Sequence, residues 1–560
     1  GTMFLIRLLV LLSGMGVLHL IKGNYEILII HTNDMHARFD QTNVKSNACK
    51  PKDALESKCY GGFGRVSTMV KKFRAENKNV LFLNAGDTYT GTPWFTIYKN
   101  KIASEMMNIL HPDAASLGNH EFDNKIEGLV PYLKDVNFPI LVSNMDLSKE
   151  PTMAAHIRSS KIFVLSGHKI GVIGYLTPDT KFLSGANQIT YISEVEAINE
   201  EAKRLKQQDK VETIIVVGHS GLVVDRKIAQ DCPDVDIVVG GHSHTFLYTG
   251  TPPDRDTPVD DYPVVVTQAS GKRVPIVQAY AFTKYLGYFK VTLNDTGSVV
   301  SWQGQPILLN ALITQDVEVQ QALEKYRDAV EAYGSRVIGV SRVVLDGESW
   351  CRFKECGTGN LITDAFVYAN LINTPITSTS WTDVSVALWQ GGGIRSAIDS
   401  RAVGGNITRL ELDNVLPFGQ RLKVVVVPGN VLWDALEHSV HRYSKTIGRG
   451  EFMQVSGLKV SYNLSNGCGK RLESVKILCN NCQRPTYQPL EKNSNYNVIM
   501  NDFIKDGGDG YSMFKPLRIL KELPMGDIEA VENFITKMSP VYPGEEYRII
   551  VRGEPVVTCE

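Results

Sequence analysis

Short apolar runs alternate with amphipathic stretches along the first half of the chain. Four runs, at residues 27–30, 80–83, 214–217 and 237–239, are rich in β-branched side chains, which is typical of buried strands. Between the runs, apolar side chains recur three or four positions apart, as on one face of a helix; they are Val66, Met69, Val70 and Phe73 in one stretch and Val195, Ile198, Ala202 and Leu205 in another. This alternation predicts an α/β fold with a largely parallel interior sheet in the first half of the chain.

A long amphipathic helix is predicted after residue 316. Its apolar stripe consists of Val319, Leu323, Tyr326, Val330 and Tyr333, and Gly334 is a residue type that commonly ends a helix. Beyond it, the apolar runs are shorter, loop residues are more frequent, and most of the nine cysteines occur. We therefore predict two domains with this helix at their boundary.

The first apolar stretch covers residues 3–21, with Arg7 near its start and polar sequence from Lys22 onward. Such a segment predicts a secretory signal peptide that is removed near Gly23; the alternative is a signal anchor that stays attached. No second apolar span follows, and residues 556–560 lack the hydrophobic tail that directs a lipid anchor. We expect a secreted, extracellular protein without a membrane anchor.

Composition and charge exclude several classes of protein. Hydrophobic residues make up 43% of the chain and charged residues 21%, as in folded soluble proteins and unlike disordered or polytopic membrane proteins. The 59 Lys and Arg nearly balance the 60 Asp and Glu, and the net charge of −1 gives no reason to expect nucleic acid as a partner. An anionic substrate must therefore be bound by a local site.

Cysteine spacing agrees with an oxidising compartment. Three close pairs, Cys49/Cys59, Cys351/Cys356 and Cys479/Cys482, suit short disulfide loops. The alternative for the last pair is a zinc site, which is disfavoured because no second Cys-x-x-Cys stands at zinc-finger spacing. The remaining cysteines are Cys232, Cys468 and Cys559, and their odd number predicts at least one thiol that is free or bonded to another chain. Three sequons, at Asn294, Asn406 and Asn463, predict surface glycosylation if the chain is secreted.

Five of the 12 histidines stand where ligands gather in α/β proteins. His36, His219, His242 and His244 each follow an apolar run, and His120 lies in the motif at residues 118–123, Gly-Asn-His-Glu-Phe-Asp. The carboxyl ends of strands in an open α/β sheet form its ligand-binding edge. These loops can therefore converge although they are far apart in the sequence.

Carboxylate and amide side chains accompany these histidines. Asp34 precedes His36 by two positions, which puts both side chains on the same side of an extended segment. Asp87 follows the run 80–83 and Asn119 precedes His120. Mixed nitrogen and oxygen donors suit zinc, manganese or iron better than calcium. Each piece alone is more often structural, but together they predict a centre of two metal ions.

The order of these motifs, Asp-x-His, Gly-Asp, Gly-Asn-His, Gly-His and Gly-His-x-His, resembles that of the calcineurin-like metallophosphatase superfamily. The stretches 31–36, 84–87, 118–123 and 240–245, with 351–356, 391–395, 416–419 and 503–510 in the second half, are similar to the 5'-nucleotidase family, which includes animal ecto-5'-nucleotidases and secreted salivary apyrases of blood-feeding arthropods. The resemblance implies a two-domain α/β protein: a signal peptide at 1–23, a metallophosphatase α/β sandwich at 24–315, a linker helix at 316–336 and a nucleotide-binding α/β domain at 337–560.

The resemblance also implies a role for each motif residue. The first metal would be bound by Asp34, His36, Asp87 and His244, and the second by Asp87, Asn119, His219 and His242. The two divalent ions are expected to be zinc, with manganese, magnesium or calcium as alternatives, and they would contact both the attacking and the leaving oxygen of an in-line displacement. His120 would stabilise charge at the scissile phosphate, and Asp123 would orient its ring. His244 departs from the compared relatives, which usually have an amide there, so the metal preference of the first site is in doubt.

Nucleotide capture would belong to the second domain. The positions that match substrate contacts of the family are Arg352, Gln390, Arg395, Phe418, Phe503 and Asp509. The arginines suit phosphate, the phenylalanines would sandwich the base, and Asp509 would accept hydrogen bonds from the ribose hydroxyls. Gln390 stands where ecto-nucleotidases have Asn, which puts the position of its base contact in doubt. Substrate would bridge the two domains, and their relative rotation is expected to have its hinge at the linker helix.

Three functions follow as hypotheses, of which a secreted apyrase is the leading one and the other two are alternatives. A secreted apyrase would hydrolyse extracellular ATP and ADP to AMP and so antagonise ADP-driven platelet aggregation, whereas a 5'-nucleotidase would hydrolyse AMP to adenosine. The lack of a lipid-anchor signal favours the apyrase, while Phe418, Phe503 and residues 507–510 are consistent with AMP hydrolysis. A noncatalytic secreted scaffold would have lost metal ligands, and none is lost. We expect the protein to be a monomer or a homodimer. Its expected binding partner is the small-molecule nucleotide substrate.

Overall fold

The computed structural model describes residues 24–555 except 45, 47, 50, 184–187, 348–349 and 376–379. The predicted signal peptide and Cys559 lie outside these residues. In the part that is described, no helix has both the length and the apolar character needed to cross a bilayer.

Two sheets form the N-terminal half. The first contains eight strands in the order Val299–Gln303, Tyr285–Leu293, Tyr25–Thr32, Val80–Asn84, Ala114–Ala115, Ile140–Leu141 and Ile157–Arg158, with Ile307–Leu308 paired to Tyr285–Leu293. The second contains six, in the order Val264–Thr267, Arg273–Val277, Ile237–Val239, Thr213–His219, His168–Leu176 and Ser160–Leu165. Pairing is parallel from Tyr25–Thr32 to Ile157–Arg158 and from Arg273–Val277 to His168–Leu176. The predicted parallel interior is confirmed, and its division between two sheets agrees with the α/β sandwich that the resemblance implied.

The strand Tyr25–Thr32 shows why two layers form. Ile27 and Ile29 pack into an apolar cluster shared with the second sheet, whereas Leu28 and Ile30 pack into a cluster with the helices. Successive strand residues point to opposite faces, so a strand with consecutive apolar residues, as at 27–30, must be covered on both sides. The helices of this half are Phe63–Glu76, Pro93–Tyr98, Asn100–Leu110, Lys125–Asp135, Glu194–Arg204 and Leu222–Asp231, with short turns at Pro51–Leu55, Asn119–Phe122, Pro151–Ala154, Thr180–Leu183 and Leu205–Asp209.

The C-terminal half also contains two sheets. One has five strands in the order Met453–Ser456, Val386–Gln390, Asn495–Asn501, Arg421–Pro428 and Ile519–Gly526; the other has four, Tyr487–Pro489, Leu472–Leu478, Leu458–Asn463 and Ile549–Arg552. One two-stranded pair lies in this half and joins Val337–Val340 to Asn406–Thr408. Two others lie in the N-terminal half and join Thr42–Asn43 to Cys59–Tyr60 and Met145–Asp146 to Thr190–Tyr191. The helices are Gly357–Leu371, Arg409–Val415, Gly429–Ser439, Asp502–Lys505 and Asp527–Met538, with 3-10 turns at Trp350–Arg352, Gly391–Gly393, Arg401–Val403, Gly508–Gly510 and Ser512–Phe514.

The predicted linker helix forms and spans Val317–Gly334. Asp316 caps its first turn, because a side-chain oxygen accepts the N–H of Glu318 at 2.9 Å. The same carboxylate accepts a hydrogen bond from the hydroxyl of Ser67 at 2.6 Å and pairs with Lys71 at 2.6 Å. The start of the linker helix is therefore attached to the helix Phe63–Glu76 of the first half.

Contacts continue along the linker helix. Glu105 of the helix Asn100–Leu110 accepts hydrogen bonds from Lys325 at 2.6 Å and from the hydroxyl of Tyr326 at 2.5 Å. In the last turn, the guanidinium of Arg409 lies 5.2 Å from the ring centroid of Tyr333. Most of the helix is thus held by the first half, and its end meets the second half.

The three predicted disulfides are confirmed. They join Cys49 to Cys59, Cys351 to Cys356 and Cys479 to Cys482, so the last pair is not a zinc site. Cys468 is disulfide-bonded as well, and Cys232 is a buried free thiol. The prediction that at least one thiol stays free is met by Cys232.

We expect Asp316→Ala to lower the free energy of unfolding of the first half by about 1–2 kcal/mol, because the first turn of the linker helix loses its cap. Thermal and denaturant unfolding would measure the change. Asp328→Ala, which removes an exposed carboxylate from the same helix, is the matched control. Equal unfolding midpoints for the two variants would contradict the capping role.

Candidate active site

The predicted metal ligands lie at the ends of strands. Asp34 and His36 follow Tyr25–Thr32, Asp87 follows Val80–Asn84, His219 ends Thr213–His219, His242 and His244 follow Ile237–Val239, and Asn119 begins a 3-10 turn after Ala114–Ala115. All these strands belong to the parallel parts of the two sheets. Their carboxyl ends therefore meet at one edge, as the sequence predicted.

Two clusters of donor atoms occupy this edge. One consists of Asp34, His36 and His244 and the other of Asp87, His219 and His242, and within each cluster the donor atoms lie within 4.8 Å of one another. Asp87 connects the clusters, since its Oδ2 lies 3.6 Å from Nε2 of His36 and 2.9 Å from Nε2 of His219. Its position is that expected of a bridging ligand.

The donor chemistry fits bound cations. Buried Asn119 has an Oδ1 atom without a hydrogen-bond partner among the described residues, and Nε2 of His36 lies 3.1 Å from Nε2 of His244. An unpaired buried oxygen and two converging imidazole nitrogens are both satisfied when a divalent ion takes the space between them. The residues present therefore fit a pair of divalent metal ions.

Backbone carbonyls orient two of the imidazoles. Nδ1 of His219 lies 2.7 Å from the carbonyl oxygen of Ala85, and Nδ1 of His36 lies 3.2 Å from that of Thr90. Donation from Nδ1 leaves Nε2 as the ligating nitrogen. The loop at residues 85–90 thus fixes ligands of both clusters.

Backbone strain is concentrated at the ligands. Five of them have positive φ angles, namely Asp34 at 50°, His36 at 46°, Asp87 at 57°, His242 at 76° and His244 at 48°. Residues other than glycine adopt this region rarely, and clusters of such residues mark functional sites. The surrounding structure must therefore hold these loops in place.

Burial and charge set the protonation of the donors. Burial disfavours ionised Asp34 and Asp87, but several neighbouring histidines together outweigh burial and hold the pKa of each carboxyl below its ordinary value; the strongest of them is His244 for Asp34 and His219 for Asp87. Burial lowers the pKa of His242 to about 4. For His219, Asp87 and Asp34 outweigh burial and raise the pKa to about 10. Binding of a cation would therefore displace a proton from His219.

His120 lies beside these clusters, as predicted. Its Nδ1 is 2.9 Å from Oδ2 of Asp123, and its backbone N–H donates to Oδ1 of Asp87 at 2.9 Å. Burial lowers the pKa of His120, but Asp123 and Asp87 outweigh it and raise the pKa to about 9. The ring of Phe418, from the second half, stacks on the His120 ring with centroids 5.0 Å apart. The second half therefore contacts His120 directly.

Arg395 approaches the donor clusters from the second half. It follows the strand Val386–Gln390 and the 3-10 turn Gly391–Gly393. Burial and, next, the charge of Arg352 lower the pKa of Arg395 to about 10, against the opposing charges of Asp87 and Asp34. The guanidinium also lies 5.5 Å from the ring centroid of Phe418. Arg395 and Phe418 thus lie beside the clusters, and Arg352 is close enough to Arg395 for their charges to interact.

Asp509 lies in the same charged group. Its φ is 50°, and its carbonyl oxygen lies 2.8 Å from Nε2 of His438. Burial and, next, the charge of Glu451 raise the pKa of its carboxyl to about 7, while the charge of Arg352 opposes them. The carboxylate is therefore poised between its two protonation states near neutral pH.

Gln390 and Phe503 are connected to each other through Asn501. Oε1 of Gln390 accepts a hydrogen bond from Asn501 at 3.0 Å, and Oδ1 of Asn501 caps the helix Asp502–Lys505 that contains Phe503. The ring of Phe503 lies against Gly508, where a Cβ would be only 2.5 Å from it. The carboxamide oxygen of Gln390 is thus engaged in holding the Phe503 segment.

Glu121 is a residue whose role the sequence did not reveal. Its carboxylate is buried and accepts backbone N–H groups from Asp87, Thr88, Tyr89 and Gly118 at 2.5–3.1 Å. It therefore ties the strained loop of Asp87 to the loop of His120. A charged residue inside the motif at 118–123 was the available signal, but only the neighbouring donors were assigned a role.

Gln278 was also missed, because nothing in its sequence context distinguishes it. Its Oε1 accepts the N–H of Thr245 at 3.1 Å and lies 3.3 Å from the hydroxyl of Ser243. Its Nε2 donates to the carbonyl of Gly241 at 3.2 Å and to the buried carboxylate of Asp225 at 2.9 Å. One buried carboxamide thus fixes the loop that contains His242 and His244.

We expect Gln278→Ala to weaken metal binding in both clusters by about 10- to 100-fold, the usual cost of losing an orienting partner behind the ligands. Calorimetric titration of metal-stripped protein with zinc would measure it. Gln268→Ala is the matched control, because Gln268 is equally buried but holds the end of a helix through the carbonyls of Ala229 and Cys232. Equal zinc affinities in the two variants would contradict the role of Gln278.

Comparison with known proteins agrees with this geometry. The calcineurin-like phosphoesterase model matches residues 27–246, and the model of the 5'-nucleotidase C-terminal domain matches residues 337–516. The chain is 69% identical over 535 residues to Protein 5NUC of Lutzomyia longipalpis, covering 95% of this chain and 94% of that protein. It is 44% identical over 532 residues to the 5'-nucleotidase of Bos taurus, covering 94% of this chain and 91% of that one.

A solved structure agrees as well. The crystal structure of a 5'-nucleotidase precursor from Thermus thermophilus superimposes with a TM-score of 0.84 at 31% identity, covering 95% of this chain and all of that one. Calcineurin-like phosphoesterases use two divalent metals, in agreement with the two donor clusters. Both halves are therefore accounted for, and the chain belongs to the 5'-nucleotidase family, with a calcineurin-like phosphoesterase domain followed by a 5'-nucleotidase C-terminal domain.

Proposed function

We propose that the protein is a secreted 5'-nucleotidase that hydrolyses nucleoside 5'-monophosphates such as AMP to the nucleoside and phosphate. The observation that carries the proposal is the meeting of two kinds of residue in one cleft. Arg395 of the second half lies close enough to Asp87 and Asp34 to interact with both charges, and Phe418 stacks on His120. A ligand with an anionic end and an aromatic end fits such a cleft.

The donor clusters support a two-metal reaction. Asp34, His36, Asp87 and His244 would hold one ion, and Asp87, Asn119, His219 and His242 the other; such ions supply an activated water and neutralise charge on the phosphoryl group. Each set contains two imidazoles, which favours zinc, with manganese as the alternative. The disulfides support secretion, because they form in oxidising compartments.

The remaining residues bind and orient the substrate. His120 has its Nδ1 bonded to Asp123, and its Nε2 lies 4.0 Å from Oδ2 of Asp87, where it can donate a hydrogen bond to a phosphoryl oxygen. Arg395 would bind a second phosphoryl oxygen. Phe418 and Phe503 would contact the base, and Asp509 would accept hydrogen bonds from the ribose hydroxyls.

An apyrase is the second candidate. Arg352 is close enough to Arg395 for their charges to interact, and two neighbouring guanidiniums suit a diphosphate or triphosphate chain. The relative in Bos taurus is named a 5'-nucleotidase, which supports AMP as the first choice. If ADP is the principal substrate, the enzyme would antagonise ADP-driven platelet aggregation.

The experiment is phosphate release from ATP, ADP and AMP, each tested separately, with products resolved by chromatography. Metal-stripped protein is resupplied with zinc, manganese, magnesium or calcium. Adenosine produced from AMP supports the proposal, whereas AMP accumulating from ATP and ADP supports the apyrase. If no phosphate is released with any of the four metals, both activities are refuted and a noncatalytic scaffold is favoured.

We expect Asp87→Asn and His120→Ala to separate metal binding from chemistry. Asp87→Asn removes the charge shared by both clusters and should reduce kcat by at least about 1,000-fold together with metal content. His120→Ala should reduce kcat by about 100- to 10,000-fold with metal content unchanged. Steady-state kinetics and elemental analysis check both. Loss of metal from His120→Ala would contradict the assignment.

We expect KM for AMP to rise as pH falls from 8 to 6. The pKa of Asp509 is raised to about 7, so its carboxylate gains a proton over this range and accepts ribose hydroxyls less well. The rise should reach about tenfold at one pH unit below that pKa. In Asp509→Asn, KM should be high and should change by only about twofold, the change expected from titration of the AMP phosphate, whose second pKa is about 6. A wild-type profile that persists in Asp509→Asn would assign the effect to another group.

A further inference from the structure

Phe418 makes a contact that base recognition does not require. Its ring is parallel to that of His120, with an interplanar angle of 6° and centroids 5.0 Å apart. Phe418 belongs to the second half, where it follows the helix Arg409–Val415, and His120 belongs to the first. The contact therefore exists only when the two halves are close together.

The other contacts of His120 leave its ring incompletely held. Nδ1 is bonded to Asp123, which selects the tautomer and anchors one atom of the ring. His36 touches the ring at 66°, with centroids 5.2 Å apart, so that contact is edge-on. The bond to Asp123 restrains the ring at one edge, and neither Asp123 nor His36 covers a flat face, so the ring can still tilt. Phe418 covers a flat face and restricts that tilt.

Phe418 also neighbours the cation that faces the donor clusters. The guanidinium carbon of Arg395 lies 5.5 Å from the Phe418 ring centroid, within the range of a cation–π contact. The Phe418 ring thus contacts both His120 and Arg395, the two side chains that are proposed to bind the phosphoryl group. Its position affects His120 and Arg395 together.

We propose that Phe418 is a positioning residue for the phosphoryl-transfer step, in addition to contacting the base. It holds the His120 ring so that Nε2 points at the phosphoryl group when the halves close. This inference rests on the proposed nucleotide hydrolysis. It links capture in one domain to chemistry in the other, because the residue that detects the base also completes the alignment of His120.

The inference is tested with a substrate that has no base. Ribose 5-phosphate keeps the phosphate and the ribose hydroxyls, so a residue that only stacks on the base has little influence on its hydrolysis. Phe418→Leu, Phe418→Tyr and Phe503→Leu are compared with wild type on AMP and on ribose 5-phosphate. Phe503→Leu is the matched comparison, because it removes a second predicted base contact that touches neither His120 nor Arg395 in any described interaction.

We expect Phe418→Leu to lower kcat for ribose 5-phosphate by about 10- to 100-fold with little change in KM, as misalignment of a reacting group does. Phe418→Tyr keeps the ring face and should restore kcat to within about threefold of wild type. On ribose 5-phosphate, the loss of kcat in Phe503→Leu should be at least about fivefold smaller than that in Phe418→Leu, although both variants lose activity on AMP. Circular dichroism and zinc content confirm that folding and metal binding are retained.

The opposite results would contradict the positioning role of Phe418. Equal losses on ribose 5-phosphate for Phe418→Leu and Phe503→Leu, or a loss confined to KM, would overturn the positioning role. Failure of Phe418→Tyr to recover would overturn it as well. Wild-type protein that hydrolyses ribose 5-phosphate but no nucleotide would instead refute the proposed nucleotidase function and leave the contact with His120 to be judged on the same variants.

Discussion

The carboxylate of Asp87 is the constraint on which the rest of the site depends. It is buried, it lies between His36 and His219, and it accepts the backbone N–H of His120. A buried carboxylate with several partners is stable only while all of them stay in place. That arrangement is held by the parallel strands of both sheets and by the loops at their ends. The hydrogen bonds that Glu121 accepts tie two of these loops together.

The same constraint explains the backbone of the site. Gly118 lies so close to Asp87 that a Cβ would be 2.1 Å from the carboxylate, and a Cβ at Gly86 would be 2.4 Å from the backbone of Gly118. These glycines allow two loops to touch. The positive φ angles of the ligand residues cost conformational free energy, and the buried hydrogen bonds that Glu121 and Gln278 accept from backbone N–H groups offset that cost.

Strands and ligands were predictable because each follows from local pattern. Short β-branched runs such as 237–239 indicate buried strands, and polar donors directly after them indicate a ligand-binding edge. The division into two sheets was not predictable from the runs, since a strand that is apolar on both faces looks the same in one sheet or two. Gln278 and Glu121 were missed because their importance lies in buried hydrogen bonds to distant backbone, which leave no periodic trace. Gln390 was matched to a base contact by position, whereas its partner Asn501 is visible only in the fold.

The Cys351–Cys356 disulfide encloses Arg352 in a loop with a sequence separation of only five. So short a loop restricts the unfolded chain little, and its main effect is on local shape. Reduction would therefore loosen Arg352, a proposed contact of the substrate phosphate, while leaving both donor clusters in the other half untouched. The thiol–disulfide balance of the surroundings would then act on how tightly substrate is captured and not on the rate at which captured substrate reacts.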